Sequence, residues 1–416
     1  MLNLKIGKIF GLALILLLLL TACGQDTDSS SGETSNGDST EIKVWHYFTG
    51  KQQTEFEKLA EEYNKLQDKV KVVMEYVPFD ETKKQLSIGV AGETLPDIVF
   101  MDGVDNASFA AIGVLEDLTD RIQEWGQAEN YYEGPLNSTK YNGRYYGLPY
   151  ESNTLALFYN KDMFEKAGIE EPPATWEELR ETAKKLTDNE HYGFAISAVR
   201  SEESTFQFYP FLISAGGDYQ NINSPEAVKA ITLFEDLLKD GSMSKDVVNA
   251  TQDDIAKQFA AGRVAMMING PWNITRIKED APDLNFGIAM IPKDVKSASV
   301  LGGGNLTIVK GKNVDEAWEF LKWLQDPKQL EPFASSTNIF PPRKDVLETS
   351  EYWKGDQYLS EFIPIMDVAV PRGPSPEWPE ISSAIQVAIQ QVLTESQSPQ
   401  EAFDEAAVII DSIIGK

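Results

Sequence analysis

The chain is poor in the residues that extracellular enzymes and disulfide-bonded domains depend on. Its 416 residues include one cysteine and two histidines. A single thiol excludes an internal disulfide, so an apolar core has to hold the fold. His46 and His191 form no His-Glu-x-x-His pair and have no second cysteine to join them, which leaves no recognisable zinc set. There is no Gly-x-Ser-x-Gly elbow, and a Ser-His-Asp hydrolase would have to use one of those two histidines. Gly302-Gly303-Gly304 lacks the Lys-Ser/Thr of a phosphate loop, and no EF-hand spacing of acids occurs. No metal and no cofactor are expected. Basic residues are also scarce: 37 Lys and Arg face 65 Asp and Glu, a net charge of −28. Such a surface repels phosphate backbones and argues against nucleic acid as a partner. Carboxylates are plentiful, so inventory alone leaves a two-acid glycosidase open.

Long hydrophobic runs are missing too, with one exception at residues 9–20. Lys5 and Lys8 precede this run and Leu20-Thr21-Ala22-Cys23 ends it. As a helix it would span only ~18 Å, short of the ~30 Å hydrocarbon core, so it reads as a removable export signal. The Leu-Thr-Ala-Cys end resembles the bacterial lipobox, which implies cleavage before Cys23 and a lipid on its sulfur. A secreted chain with a free thiol is the alternative. Residues 25–40 contain no aliphatic or aromatic side chain. They predict a disordered spacer between anchor and fold.

The remaining chain is patterned as α/β. Ile42, Val44 and Trp45 start a strand, and Phe56, Leu59, Tyr63 and Leu66 share one face of a helix. Residues 70–77 are β-branched and aromatic, and a helix over about 81–91 leads to a short apolar strand at 97–101. Strands separated by helices predict a parallel sheet, with ligands gathering beyond the strands' carboxyl ends. Those ends carry His46-Tyr47-Phe48 and Asp102-Gly103-Val104-Asp105-Asn106. A second α/β unit follows. Thr175-Trp176-Glu177-Glu178 is a capping box, Ser224-Pro225-Glu226 opens a helix that Gly241 closes, and residues 253–261 form a helix before a strand at 263–268. Later, a strand at 306–309 precedes a helix with Ala317, Phe320, Leu321 and Leu324 inward, and residues 382–414 read as two helices.

Aromatic and polar residues concentrate at loop positions. Tyr145-Tyr146-Gly147-Leu148-Pro149-Tyr150-Glu151-Ser152-Asn153 links the two units, Gly270-Pro271-Trp272-Asn273 follows a strand, and Trp378 lies among Pro371, Pro374, Pro376 and Pro379. A pyranose has an apolar C–H face and a rim of hydroxyls. Rings suit the face, while Asp, Glu, Asn and Arg suit neighbouring hydroxyls. One ring alone is as readily a core residue; together, on loops beside polar partners, they favour a site. Trp176, Trp318 and Trp323 sit within helices at apolar spacing and are expected in the core.

These segments resemble the extracellular solute-binding proteins of carbohydrate ABC importers, the maltose-binding-protein-like group (solute-binding family 1). The matching stretches are Val44-Trp45-His46-Tyr47-Phe48, Leu95-Pro96-Asp97-Ile98-Val99-Phe100 and Gly143-Arg144-Tyr145-Tyr146-Gly147-Leu148-Pro149. Further on come Leu157-Phe158-Tyr159-Asn160-Lys161-Asp162-Met163-Phe164, Pro173-Ala174-Thr175-Trp176-Glu177-Glu178-Leu179 and Met266-Met267-Ile268-Asn269-Gly270-Pro271-Trp272. The resemblance implies a two-lobed periplasmic-binding-protein fold of type II, with ligand in a cleft crossed by hinge segments near 150–154, 291–301 and 340–347. One lobe would hold residues 41–150 with 300–340, the other 155–295 with 345–416.

By motif position, the resemblance implies ligand contacts from Trp45, His46, Tyr47, Asn153 with its neighbour Glu151, Phe206, Trp272 and Trp378; Asp102 and Asn106 stand where the family carries a charged pair, and Gly303, Asn305 and Arg372 are further candidate contacts. It implies an oligosaccharide or other sugar ligand, ABC permease subunits as partners, a monomer, and no catalysis. The rival expectations are a glycerophosphodiester ligand, with Arg372 as its cation, a surface-tethered glycoside hydrolase, and a purely structural lipoprotein.

Overall fold

A computed structural model describes residues 39–415 apart from 93, 312 and 374. Cys23, the apolar run before it, nearly all of the polar spacer and Pro374 lie outside the described residues.

Along the chain the strands are β1 (Thr40–His46), β2 (Val70–Tyr76), β3 (Ile98–Asp102), β4 (Lys140–Tyr141), β5 (Arg144–Tyr145), β6 (Leu148–Pro149) and β7 (Asn153–Thr154). They continue with β8 (Ala156–Asn160), β9 (Met266–Asn269), β10 (Phe286–Ala289), β11 (Ser299–Gly302), β12 (Gly304–Ile308) and β13 (Ala369–Pro371). The first sheet has the order β2-β1-β3-β12-β6, a second β10-β8-β9, and a third β13-β11-β7.

The β-α-β pattern at the amino terminus forms as its periodicity predicts. β1 pairs in parallel with both β2 and β3. The helix Gly50–Leu66 buries Phe56, Leu59 and Tyr63, but Leu66 is 67% exposed because it is the helix's last residue, beyond the stripe that faces the sheet. β3 is apolar throughout because it is covered twice. Ile98 and Phe100 point into one core with Ile42, Phe56, Leu306 and Phe320, while Val99 and Met101 join Leu86 and Phe109 on the opposite face. Each such side chain withdrawn from water contributes ~1.5–3 kcal/mol.

The expectation of parallel sheets holds only in part. β12 runs antiparallel to β3 and to β6, and the second sheet is antiparallel throughout. β12 follows directly on β11, so it enters the first sheet from the carboxyl ends of its neighbours. Without a crossover helix it can only run against them.

The second and largest core gathers Phe158, Phe211, Phe234, Ile268, Trp378 and Ile410, among others, under the long helices Pro225–Lys239, Trp378–Leu393 and Pro399–Ile414. Consecutive core residues switch lobes at three places. Tyr150 packs in the first core and Leu155 in the second, Val300 in the second and Leu306 in the first, and Ile339 in the first and Phe340 in the second. Two of these passages are stitched together by β7 and β11, where Thr154 Oγ1 lies 2.6 Å from Ser299 Oγ and that hydroxyl donates to Leu155 O at 2.7 Å. At the third, Ser152 bridges Phe340, whose carbonyl accepts the Ser152 N–H at 2.8 Å.

Candidate functional site

The chain leaves β1 at His46 and β3 at Asp102, and beyond those two ends a cleft of about 190 Å³ opens between the lobes. Five aromatic side chains line it. Tyr47, Phe48 and Phe79 come from the first lobe, and Phe206 and Trp272 from the second. Phe48 stacks on Phe100 with ring centroids 4.4 Å apart, and Tyr47 packs edge-on against Phe79 at 5.0 Å. Phe206 and Trp272 lie nearly parallel, 29° apart with centroids at 6.3 Å, and form a continuous aromatic wall.

The Asn-Gly-Pro-Trp-Asn turn shows why the sequence folds this way locally. Gly270 has no room for a Cβ, because the Trp272 ring occupies that space. Asn269 is fully buried. Its Oδ1 accepts from Gly270 N at 2.9 Å and from Asn273 Nδ2 at 3.0 Å, while its Nδ2 donates to Gln252 O. These bonds fix the turn that presents the indole.

Against the rings stand carboxyl groups and one guanidinium. Arg372, almost fully buried, donates through Nη1 to Glu202 at 2.5 Å and through Nη2 to Asp102 at 3.2 Å, and its guanidinium lies 4.3 Å from the Phe206 ring centre. Asp102 ends β3 in the first lobe and Glu202 opens the helix Glu202–Ser214 in the second, so this ion pair spans the cleft. Glu202 also accepts from Trp378 Nε1 at 3.0 Å and from Ser382 Oγ at 2.5 Å. Glu203 accepts from Ser197 Oγ at 2.9 Å and from the Gln252 N–H at 2.8 Å.

The electrostatics follow from this crowding of acids in a desolvated space. Burial pushes Glu151 up to about 8, with the Asp102 charge adding to it. Burial likewise raises Glu203 to about 7 and Asp105 to about 7, and lifts Glu202 despite its Arg372 partner. Burial opposes the charge on Arg372, but Asp102 and Glu202 outweigh it and hold the guanidinium protonated.

The structure brings eight of the expected site residues to the cleft: Tyr47, Asp102, Glu151, Asn153, Phe206, Trp272, Gly303 and Arg372. The other five lie elsewhere, which corrects their expected position. Trp45 and His46 still belong to β1, where side chains alternate between sheet faces. Trp45 turns to the outer face and donates its indole N–H to Glu75 at 2.8 Å. His46 turns inward among Phe48 and Phe56, where burial lowers its pKa to about 4. Asn106 and Asn305 are buried beneath the cleft; Asn106 donates to Thr139 O and Asn305 is held by Ser138. Trp378 is fully buried between Tyr209 and Tyr219 and reaches the cleft only through Glu202.

Sequence patterning placed Phe48 at the ligand end of β1 but missed Gln52, Phe79, Glu202, Glu203, Gln252, Asp253 and Asn338, all of which line the cleft. Glu202, Glu203, Gln252 and Asp253 occupy first helical turns behind the caps Ser201 and Thr251. Acids there already have a local explanation in the helix dipole, which masks any second role.

The model of the family described as bacterial extracellular solute-binding protein matches residues 58–359. The chain belongs to that family. Among relatives of this solute-binding protein, a putative binding protein of Brucella abortus is 27% identical over 92% of this chain and 95% of its own length. The maltotriose-binding protein of Pyrococcus abyssi is 27% identical, covering 88% of this chain and 80% of that one. A solved ABC transporter solute-binding protein from Thermotoga lettingae, bound with α-D-tagatose, superposes with a TM-score of 0.84 at 30% identity. It covers 91% of this chain and all of its own. The two-lobed binding-protein fold expected from the motifs is therefore the observed one.

Proposed function

We propose that this solute-binding protein captures an oligosaccharide between its lobes and delivers it to the membrane subunits of an ABC importer, without chemical change to the sugar. One observation carries the proposal: aromatic faces and acceptor-rich side chains from both lobes converge on a single interlobe cleft. Rings cover the C–H faces of a pyranose, while Asp102, Glu151, Asn153, Glu203 and Asp253 supply acceptors for its hydroxyls. The maltotriose of the Pyrococcus relative and the tagatose of the Thermotoga neighbour agree with this chemistry.

Ligand contacts from both lobes favour the closed form, since only there are both sets made at once. Moving an equilibrium from 1:99 to 99:1 takes ~5.5 kcal/mol of differential affinity. A few hydrogen bonds at ~1 kcal/mol each, with ring stacking, reach that order. The three passages near residues 150–154, 291–301 and 340–347 are the proposed hinge, dividing residues 41–150 with 300–340 from 155–295 with 345–416. A lipid on Cys23 would hold the monomeric domain at the extracytoplasmic face of the cell membrane, where the importer lies. Among the described residues no helix is long and apolar enough to cross a membrane.

A glycerophosphodiester ligand fits less well. Arg372 is the cation in the cleft wall, and Asp102 and Glu202 already neutralise it.

Titration calorimetry of the mature domain against a panel of malto-, manno- and galacto-oligosaccharides tests the proposal. At least one sugar should bind, and Trp272→Ala should weaken it tenfold or more while leaving the melting temperature nearly unchanged. Wild-type affinity in that variant would remove the Trp272 ring from the site. Release of p-nitrophenol from chromogenic glycosides by the pure protein would replace capture with hydrolysis.

A further inference from the structure

A second cavity of about 340 Å³ lies against the first, and Asp102, Glu151, Gly302, Gly303 and Arg372 line both. The far chamber differs in chemistry. Its apolar lining is aliphatic, from Val104, Pro135, Leu301 and Pro371, with no aromatic ring among the described residues that line it. Two of the polar side chains found only in this chamber are already engaged. Ser138 Oγ donates to Pro135 O at 2.7 Å and lies 3.1 Å from Asn305 Nδ2. Lys140 Nζ donates to Asn137 Oδ1 at 2.9 Å and sits 4.8 Å from the centre of the Tyr145 ring. Sugar hydroxyls would find fewer open partners there than in the first cavity, whereas an apolar group would cover the aliphatic side chains. The two cavities adjoin at Gly302 and Gly303, which line both and carry no side chain.

The geometry points to a bipartite site: the ring-lined cleft holds the sugar, and the aliphatic chamber beyond Gly302-Gly303 holds an apolar aryl or alkyl aglycone joined to it. This rests on the sugar reading and narrows it to glycosides carrying an apolar group. Gly134 offers a way to block the chamber alone. It lies at the surface of the segment Glu133–Ser138, and a Cβ built on it would meet only Leu301 Cδ2, at 3.1 Å.

The experiment compares maltose, mannobiose and lactose with their p-nitrophenyl glycosides by calorimetry, on wild type, Gly134→Ala and Gly134→Phe. For the sugar that binds, the aryl glycoside should bind wild type and Gly134→Ala at least tenfold more tightly than the free sugar. In Gly134→Phe that ratio should fall to about one, with a melting curve showing that the variant is folded. A ratio near one in wild type overturns the aglycone chamber and leaves sugar binding intact. A tenfold ratio that survives in Gly134→Phe also overturns it, because the gain then arises elsewhere. Failure of all six compounds and of the wider sugar panel overturns the sugar reading and this inference with it. If Gly134→Phe does not fold, Gly134→Leu takes its place, and its ratio is read in the same two ways.

Discussion

Glu151 shows how a single residue can serve a binding site at the expense of stability. It borders both cavities, and no cation is among the causes that set its pKa; burial and the neighbouring Asp102 raise it to about 8. A carboxyl whose folded-state pKa exceeds its unfolded value near 4.5 stabilises the fold fully below that lower value. The contribution is lost as pH rises through about 8, because the native state then has to carry the buried charge. The wild-type melting temperature should therefore fall between pH 5 and pH 9, and Glu151→Gln should flatten that fall. The variant should gain at least about 2 °C at pH 9 and nothing at pH 5. Differential scanning calorimetry across that range decides it, and parallel curves for the two proteins would show that Glu151 is not the group that titrates.

At the scale of elements, the three consecutive glycines after Leu301 carry the most weight for their size. Each would clash if given a Cβ: Gly302 against Asn153, Gly303 against the Glu151 carbonyl, and Gly304 against the Phe100 ring. Gly303 also adopts φ +136°, a region closed to other residues. Here the lobe-spanning strand β11 bends into β12 with backbone packed on backbone. Gly303→Ala should cost at least ~2 kcal/mol, the usual range for forced strain combined with a steric clash. A denaturant midpoint equal to wild type would show that the bend relaxes without cost.

The same stretch marks how far the sequence alone could be read. Helix starts with a local code were legible. The box at Thr175 and Glu178 forms as its spacing predicts, and so do the helices opened by Ser224 and carrying Phe320. The tryptophans Trp176 and Trp318 are buried as their helical spacing implied. The direction of β12 was not legible, because it depends on where the chain re-enters from the other lobe. His46 and Tyr47 are neighbours in sequence, yet one is core and the other cleft. The difference is whether β1 has already ended, and a boundary uncertain by a residue inverts the assignment.

At the scale of the whole molecule, the Arg372 bridge joins what the cleft divides. Asp102 closes the end of β3 under the first core, and Glu202 heads a helix under the second. Arg372, just past β13, holds both in a buried setting. Replacing Asp102 by a neutral amide leaves the second-lobe Arg372–Glu202 pair balanced, but removes the charge attraction that draws the first lobe to it. Asp102→Asn should therefore shift the ligand-free protein toward the open form. Small-angle scattering should show a larger radius of gyration than wild type, and the wild-type value should return on adding a sugar that still binds. Glu202 keeps its bond to Arg372 in this variant, so the second lobe stays intact and the change reports on the interlobe contact alone. Superimposable ligand-free scattering curves for the two proteins would mean that this ion pair decorates the closed form without holding it.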